Sequence, residues 1–451
     1  MIEPTRGGGG AGSDLGGVGG GGVTDSESEL PSTWLSLKLG DVLAYGKTEK
    51  AEPEEIAPET WVLELEDVEK DTTKVLQHLT FAERQSKSTK NKFNAGDVLY
   101  GKLRPYLNKV TFADRPGVCT TEIVPIKPNE AVHGRYLFHW LRHPAFLTYV
   151  TEVSHGVNMP RLGTDAGRDA PFVLAPKAEQ KRVADKLDTV LTRVDAVNTR
   201  LARVAPLLKR FRQSVLAAAT SGRLTEDWRL DRRLPAPKAH ELGTIIRVSS
   251  GQGLTAKQMV SSGGIPVFGG NGITGYHDQA NTVEPTLLIG RVGYYCGSVH
   301  LTPPIAWVTD NALIVRHDPK IVQKNYLFFA LQAIDLRQND SSTAQPVISG
   351  QKIYGLLVVL PHFDEQTEIV RRVETLFAFA DRLKARLAQA QTAATRLTPA
   401  LLAKAFRGEL VPQDPNDEPA AQLLRRLQAE RASAPKASAG RGRKAKVQSE
   451  G

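Results

Sequence analysis

One stretch of the sequence occurs twice, and both copies have the spacing of a long helix. Residues 179–224 and 365–410 align without a gap, at a constant offset of 186 residues from Glu179 to Glu365. Apolar residues recur in both copies at alternating steps of four and three, the heptad pattern of a coiled coil. The predicted seam positions are Val183, Leu187, Val190, Val194, Val197 and Leu201 in the first copy and Ile369, Val373, Leu376, Leu383 and Leu387 in the second.

Helices of this length cannot bury their seams on a compact globule. Forty residues of helix form a rod of about 60 Å. Two matched seams in one chain meet at high effective concentration, so we expect the two helices to pair with each other. A coiled coil between separate chains remains the alternative. Pro206 lies inside the first copy and predicts a kink or a restart of that helix.

A similar domain precedes each helix. Leu39-Gly40-Asp41 is echoed by Leu242-Gly243-Thr244, and Tyr136-Leu137-Phe138 by Tyr326-Leu327-Phe328. Short strand patterns at residues 98–100 and 122–126, with a helical pattern at 135–147, indicate an α+β class with few helices. The predicted segments are a glycine-rich leader (1–30), the first domain (31–176), its helix (177–224), a polar linker (225–240), the second domain (241–362), its helix (363–410), a helical segment (411–431) and a disordered basic tail (432–451).

Composition favours an anionic partner and a reducing compartment. The formal net charge is +9 and the pI is about 9.4, as in many nucleic-acid-binding proteins. Two cysteines, Cys119 and Cys296, are too few for a disulfide framework, so we expect free thiols in a cytoplasmic protein. The sequence contains no apolar run long enough to span a membrane and no signal-peptide pattern.

Basic loops with interleaved aromatic residues are the candidate binding sites. They combine phosphate-binding cations, donors for base edges and rings for stacking. The alternative is that these loops are surface hairpins with solvated cations. The candidate DNA-binding residues are Lys102, Arg104, Tyr106, Asn108 and Lys109 in the first domain and Asn271, Tyr276, Arg291, Tyr294 and Tyr295 in the second.

Catalytic signatures are missing from the sequence. It has no Asp-Pro-Pro-Tyr methyltransferase run, no Pro-Asp dipeptide to open a nuclease core, and no Gly-x-Ser-x-Gly elbow. The ten histidines are scattered without a His-Glu-x-x-His motif. We therefore predict no catalytic residue and no metal ligand.

Several motifs, in order along the chain, carry a family resemblance. They are residues 96–107 (GDVLYGKLRPYL), 268–276 (FGGNGITGY), 287–293 (LLIGRVG), the Glu-Gln helix starts at Glu179 and Glu365, and residues 406–414 (FRGELVPQD). With these motifs the chain resembles the specificity subunit of type I restriction-modification enzymes. The resemblance implies two target-recognition domains separated by two long antiparallel coiled-coil helices, a pseudo-twofold internal repeat.

The same resemblance implies a function and partners. Each domain would read one half of a split double-stranded DNA sequence, and the helices would hold methylation subunits, with two expected. Restriction subunits are further expected partners. S-adenosylmethionine, ATP and Mg²⁺ would belong to the partner subunits, with no cofactor on this chain. The alternatives are a coiled-coil scaffold that binds nucleic acid without sequence preference, and an enzyme that acts alone.

Overall fold

The computed structural model describes residues 30–338 and 347–433, with side chains up to residue 430. The predicted leader (1–30) and tail (432–451) lie almost entirely outside the described residues. The chain forms two compact units. The first unit comprises residues 30–195 together with 396–433, and the second comprises the described residues of 196–395.

The first domain is built from short strands and short helices. Its strands are β1 (Leu35–Lys38), β2 (Lys50–Ala51), β3 (Trp61–Leu63), β4 (Leu79–Thr80), β5 (Lys90–Phe93), β6 (Val98–Gly101), β7 (Val110–Phe112), β8 (Gly117–Cys119), β9 (Ile123–Ile126) and β10 (Pro171–Leu174). Its helices are α1 (Leu39–Val42), α2 (Phe81–Arg84), α3 (Gly134–Trp140), α4 (Pro144–Val153) and α5 (Thr164–Asp169), before the long α6 (Lys177–Thr220). The sheets have the orders β2-β5-β8-β3-β4, β7-β6-β9 and β1-β10.

The second domain is likewise built from short strands and short helices. Its helices are α7 (Glu226–Asp231), α8 (Leu242–Ile245), α9 (Lys324–Ala333) and α10 (Gly350–Tyr354), followed by the long α11 (Phe363–Phe406). The terminal helix α12 (Ala420–Ser433) belongs to the first unit. Its strands are β11 (Lys238–Glu241), β12 (Ile246–Ser250), β13 (Ile265–Gly269), β14 (Gly272–His277), β15 (Leu287–Gly290), β16 (Val299–Leu301), β17 (Trp307–Val308), β18 (Ala312–His317) and β19 (Leu357–Leu360). The sheets have the orders β12-β18-β15-β16, β14-β13-β17 and β11-β19. The α+β class is confirmed.

Two predicted segments differ in detail. The single helix expected at 135–147 is wrong, because Pro144 disfavours helical backbone at His143, which is extended (ψ 140°). The polar linker predicted at 225–240 contains α7 and the start of β11. This segment is ordered by distant partners: Arg229 pairs with the buried Glu365 at 2.7 Å, and β11 pairs with β19.

The long helices α6 and α11 each contain 44 residues and pack antiparallel. In the first unit, Val183 and Leu187 near the start of α6 share a core with Leu402 near the end of α11. In the second unit, Val215 near the end of α6 shares a core with Ile369 near the start of α11. The predicted pairing of the two helices within one chain is confirmed.

Helix α6 continues through Pro206 without a restart, which leaves a kink as the form of the prediction at this residue. A proline at this position removes the hydrogen bond to the carbonyl of Ala202. Both residues lie on the exposed side of the helix, where water can satisfy that carbonyl. Helix α11 likewise contains an interior proline, Pro399.

The buried face of α6 departs from the predicted seam at one position. Val197 is 44% exposed, whereas Leu191 is buried and Asn198 is half-buried. An α-helix with 3.6 residues per turn drifts by about 20° per heptad from a strict 3.5-residue repeat, which brings the neighbouring positions inward. The other seam residues are buried or half-buried: Val183, Leu187, Val190, Val194, Leu201, Ile369, Val373, Leu376, Leu383 and Leu387.

Identical glutamines anchor the start of both long helices. Gln180 accepts the N–H of His133 at 2.8 Å and donates to two backbone carbonyls of the first domain. Gln366 accepts the N–H of Gln323 at 2.8 Å and donates to two carbonyls of the second domain. The internal repeat therefore extends to buried hydrogen bonds that fix each domain to its own helix.

Candidate nucleic-acid interface

Two basic loops, one in each domain, are closed in the same way. Loop A (residues 102–109) follows β6, and loop B (residues 291–298) follows β15. The N–H of Gly101 donates to the carbonyl of Lys109 at 2.9 Å, and the N–H of Gly290 donates to the carbonyl of Ser298 at 2.8 Å. Both loops therefore begin and end at equivalent backbone hydrogen bonds.

Both loops also turn at equivalent positions. Arg104 and Asn108 of loop A adopt left-handed backbone conformations, with φ of 51° and 49°. Gly293 and Gly297 occupy these places in loop B, with φ of 83° and 87°. Left-handed backbone favours glycine, so loop B has the residue type that this frame prefers, and loop A has side chains there instead.

A later segment of each domain attaches to its loop. The N–H of Leu162 donates to the carbonyl of Lys102 at 3.0 Å, and the N–H of Ile348 donates to the carbonyl of Arg291 at 2.8 Å. These bonds join residues about sixty positions apart, and they recur in both domains. The two loops are therefore parts of one repeated framework.

The side chains of loop A divide into exposed and engaged groups. Arg104 and Tyr106 are exposed, and Lys102, Asn108 and Lys109 are half-buried. The amine of Lys109 donates to the carbonyl of Leu65 at 2.7 Å, so this cation supports the loop from within the domain. Arg104 and Tyr106 are the predicted residues best placed to meet a ligand.

Loop A is flanked by a hairpin outside the predicted binding residues, residues 155–161. His155 and Arg161 exchange backbone hydrogen bonds of 3.3 and 3.0 Å at its base. The N–H of Arg104 donates to the carbonyl of Pro160 at 2.7 Å, and its Nη2 donates to the carbonyl of Asn158 at 3.4 Å. Gly156 and Pro160, both turn formers around an apolar pair, were the sequence signal for this hairpin.

Loop B presents an anchored arginine and two exposed tyrosines. Nη1 of Arg291 donates to Oγ of Ser250 at 3.1 Å and to the carbonyl of Asp310 at 3.4 Å. Tyr294 is 85% exposed, and its ring meets that of Tyr295 edge-on at 5.1 Å. The tyrosines offer exposed ring surface beside a fixed cation.

The turn between β13 and β14 lies against loop B. Oγ of Ser298 donates to the carbonyl of Gly270 at 2.6 Å. A side chain at Gly290 would approach the same carbonyl within 2.3 Å, so this contact requires glycine. The turn places exposed Asn271 next to loop B. Tyr276, further along β14, is half-buried and has its backbone paired with that of Val260.

The described residues form neither a metal site nor a membrane-spanning helix. Within residues 30–338 and 347–433, no group of histidine, cysteine and acidic side chains is arranged to hold a metal ion. In the same part of the chain, no helix combines the length and hydropathy needed to cross a bilayer.

Known proteins are similar to this chain in sequence and in fold. The family model for the type I restriction modification DNA specificity domain matches residues 238–391. The type I restriction enzyme StySPI specificity subunit of Salmonella potsdam is 32% identical over 349 residues, covering 68% of this chain and 74% of the relative. The EcoKI specificity subunit of Escherichia coli strain K12 is 30% identical over 345 residues, covering 68% and 74%.

Solved structures have a similar fold at low sequence identity. A chain from a structure on complex assembly and conformational transition of the type I R-M system has a TM-score of 0.68 at 21% identity, covering 84% of this chain and 99% of that one. The HsdS subunit from Thermoanaerobacter tengcongensis has a TM-score of 0.56 at 20% identity, covering 86% and 100%. Together with the sequence relatives, this fold assigns the chain to the family of type I restriction enzyme specificity subunits.

Proposed function

We propose that this chain is the non-catalytic DNA-recognition subunit of a type I restriction-modification complex and reads a bipartite double-stranded target. Loop A reads one half of the target, and loop B with the adjacent β13–β14 turn reads the other. The observation that carries this proposal is the repeated loop framework. Equivalent backbone bonds hold both loops, while the side chains they display differ, as two readers of two different sequences require.

The side chains suit direct readout of bases. Arginine pairs with guanine through two donors, asparagine pairs with adenine, and exposed rings stack. The guanidinium of Arg104 is held by a long hydrogen bond of 3.4 Å from Nη2, which leaves this group able to turn to a ligand. The bonds from Arg291 engage Nη1, and a guanidinium has further N–H donors. Lys102 and Tyr106 supply phosphate contact and stacking beside Arg104.

The long helices are the proposed docking surface for methylation subunits. In the second unit, Val197 and Leu207 of α6 and Phe379 of α11 are exposed, although α6 and α11 pack together along their buried faces. The internal repeat supports two methylation subunits, one for each matched helix start. Restriction subunits would join the same complex. The partner subunits would bind S-adenosylmethionine, ATP and Mg²⁺.

Arginine substitutions test the reading loops. In the complex with its methylation partner, Arg104→Ala or Arg291→Ala should weaken specific binding by about 1–3 kcal/mol and relax preference at one target position. Arg115 is an exposed arginine of the first domain paired with Asp114, and Arg115→Ala is the matched control. Competition binding with the mapped target and with scrambled duplexes gives both affinity and preference.

A footprint of the same complex tests the bipartite target. We expect two protected tracts with an unprotected gap, and a steep loss of affinity with salt. One continuous tract would exclude two separate readers. Equal affinity for all duplexes would instead identify a scaffold that binds nucleic acid without sequence preference.

A further inference from the structure

We propose that the 155–161 hairpin is a second reading element of the first domain, and that Val157 and Met159 recognise thymine by contact with its methyl group. This inference rests on the proposed function, because it adds residues to the surface assigned to loop A. Neither residue belongs to a basic or aromatic cluster. Their role is inferred from their position on the folded domain.

The tip of the hairpin carries apolar side chains outward. Val157 is 102% exposed and Met159 is 44% exposed, on either side of exposed Asn158. A single exposed apolar residue is ordinary on a protein surface. Here two of them occupy one short tip, which has no packing role in the domain's core.

The hairpin is rigidly joined to loop A. The backbone N–H of Arg104 bonds to Pro160 at 2.7 Å, and Leu103 forms a backbone bridge with Arg161. The Arg161 side chain pairs with Glu122 at 3.1 Å, which raises the pKa of its guanidinium and keeps it charged. Glu122 in turn accepts the N–H of Lys102 at 2.9 Å through its carbonyl. A ligand that reaches loop A therefore meets a hairpin held in a fixed place.

Proximity to Arg104 indicates what the tip would contact. The carbonyl of Asn158, between the two apolar residues, lies 3.4 Å from Nη2 of Arg104. A duplex whose base edges or phosphates meet Arg104 would also come next to Val157 and Met159. The apolar group on base edges in the major groove is the C5-methyl of thymine, the natural partner for aliphatic side chains.

A comparison of thymine with deoxyuridine isolates that methyl group. The half-site read by the first domain is mapped first, and each thymine in it is then replaced by deoxyuridine, which lacks only the methyl. With the complete complex, Val157→Ala and Met159→Ala should each weaken binding to the thymine target by about fivefold. At one thymine of the half-site, replacement by deoxyuridine should cause a similar loss of affinity in the unsubstituted complex. The same replacement should cause little further loss of affinity in the two variants.

Controls separate this proposal from the proposed function. Val283 of the second unit is 81% exposed, lies outside both loops, and provides Val283→Ala as the matched control with unchanged binding. Because no charge changes, the salt dependence of binding should stay the same in all three variants. Thermal unfolding of each variant checks that the fold is retained.

Three results would overturn the inference. The first is that the losses of affinity caused by deoxyuridine and by Val157→Ala add together. The second is that the half-site read by the first domain contains no thymine. The third is that both variants bind with unchanged affinity while Arg104→Ala loses affinity. In the last case the proposed function stands and the hairpin has no part in it. A complex with no sequence preference at all would instead remove the proposed function.

Discussion

At the scale of single residues, loop A keeps side chains where its backbone would prefer glycine. A left-handed conformation costs a non-glycine residue about 1 kcal/mol or more, and Arg104 and Asn108 both adopt it. Loop B avoids that cost with Gly293 and Gly297. Strain of this kind persists where the side chain serves a purpose, which agrees with a reading role for Arg104.

A half-buried histidine makes the stability of the first unit depend on pH. Partial burial lowers the pKa of His143 to about 4, with a smaller contribution from the positive charge of Arg407. Its Nδ1 accepts the N–H of Ala145 at 3.2 Å, and its ring stacks on Trp140 with centroids 5.0 Å apart. The folded state therefore holds His143 neutral, whereas the unfolded chain protonates it near pH 6.5.

We therefore predict that the free energy of unfolding falls as pH decreases from about 6.5 towards 4, because protons then bind preferentially to the unfolded chain. His143→Asn retains an acceptor for the cap of α4 and removes the titration. Its loss of stability across this range, measured by urea denaturation, should be shallower than that of the unsubstituted protein. Parallel curves would show that His143 does not contribute.

At the scale of elements, each domain is fastened to its helix by a buried glutamine. Gln180→Leu should destabilise the first unit by about 3 kcal/mol, because it leaves the N–H of His133 and two carbonyls without partners. Gln366→Leu should act equally on the second unit. Urea denaturation with hydrogen exchange as the readout measures the stability of each unit separately. A loss of unfolding free energy below about 0.5 kcal/mol would mean that water replaces the glutamine.

The elements that the sequence predicted are those with local signals. The heptad spacing predicts α6 and α11, and the turn at Gly96 followed by apolar residues predicts β6. Pro144 was a local signal for the break between α3 and α4, but the apolar pattern across it hid the break. Gly156 and Pro160 were local signals for the 155–161 hairpin, but its place beside loop A depends on hydrogen bonds from Arg104, about fifty residues away in sequence, which no local pattern reveals.

At the candidate site, too, local signals predicted the residues and long-range contacts decided their roles. Residue type predicted Arg104, Tyr106, Arg291 and the tyrosines of loop B as candidate DNA-binding residues. It could not indicate that Lys109 is directed to the carbonyl of Leu65, because that contact joins segments far apart in the chain. The assignment of each side chain to base, phosphate or support depends on such long-range contacts.

At the scale of the whole molecule, the first unit is discontinuous. Residues after α11 return to it: the N–H of Ala420 donates to the carbonyl of Thr33 at 2.9 Å, and Arg182 pairs with Asp417 at 2.6 Å. Leu423 and Leu427 of α12 enter the core that contains Trp34. The first domain is therefore completed by the far end of the chain.

A truncation after Val411 should accordingly loosen the first unit and spare the second. It removes Gln413, a hydrogen-bond donor to Glu179, together with the buried leucines of α12. Hydrogen exchange should show reduced protection in residues 30–195, with residues 196–395 as the internal control. Equal protection of residues 30–195 with and without this segment would contradict the prediction.

The discontinuity of the first unit sets an order of events on the ribosome. Residues 30–195 emerge first, but the segment that covers their core emerges after the second unit has been synthesised. A nascent chain therefore carries apolar surface around Trp34 uncovered while more than two hundred further residues are added. Of the two units, the one whose synthesis begins first is therefore the one that closes last, so the supply of chaperones during elongation should govern the yield of folded protein.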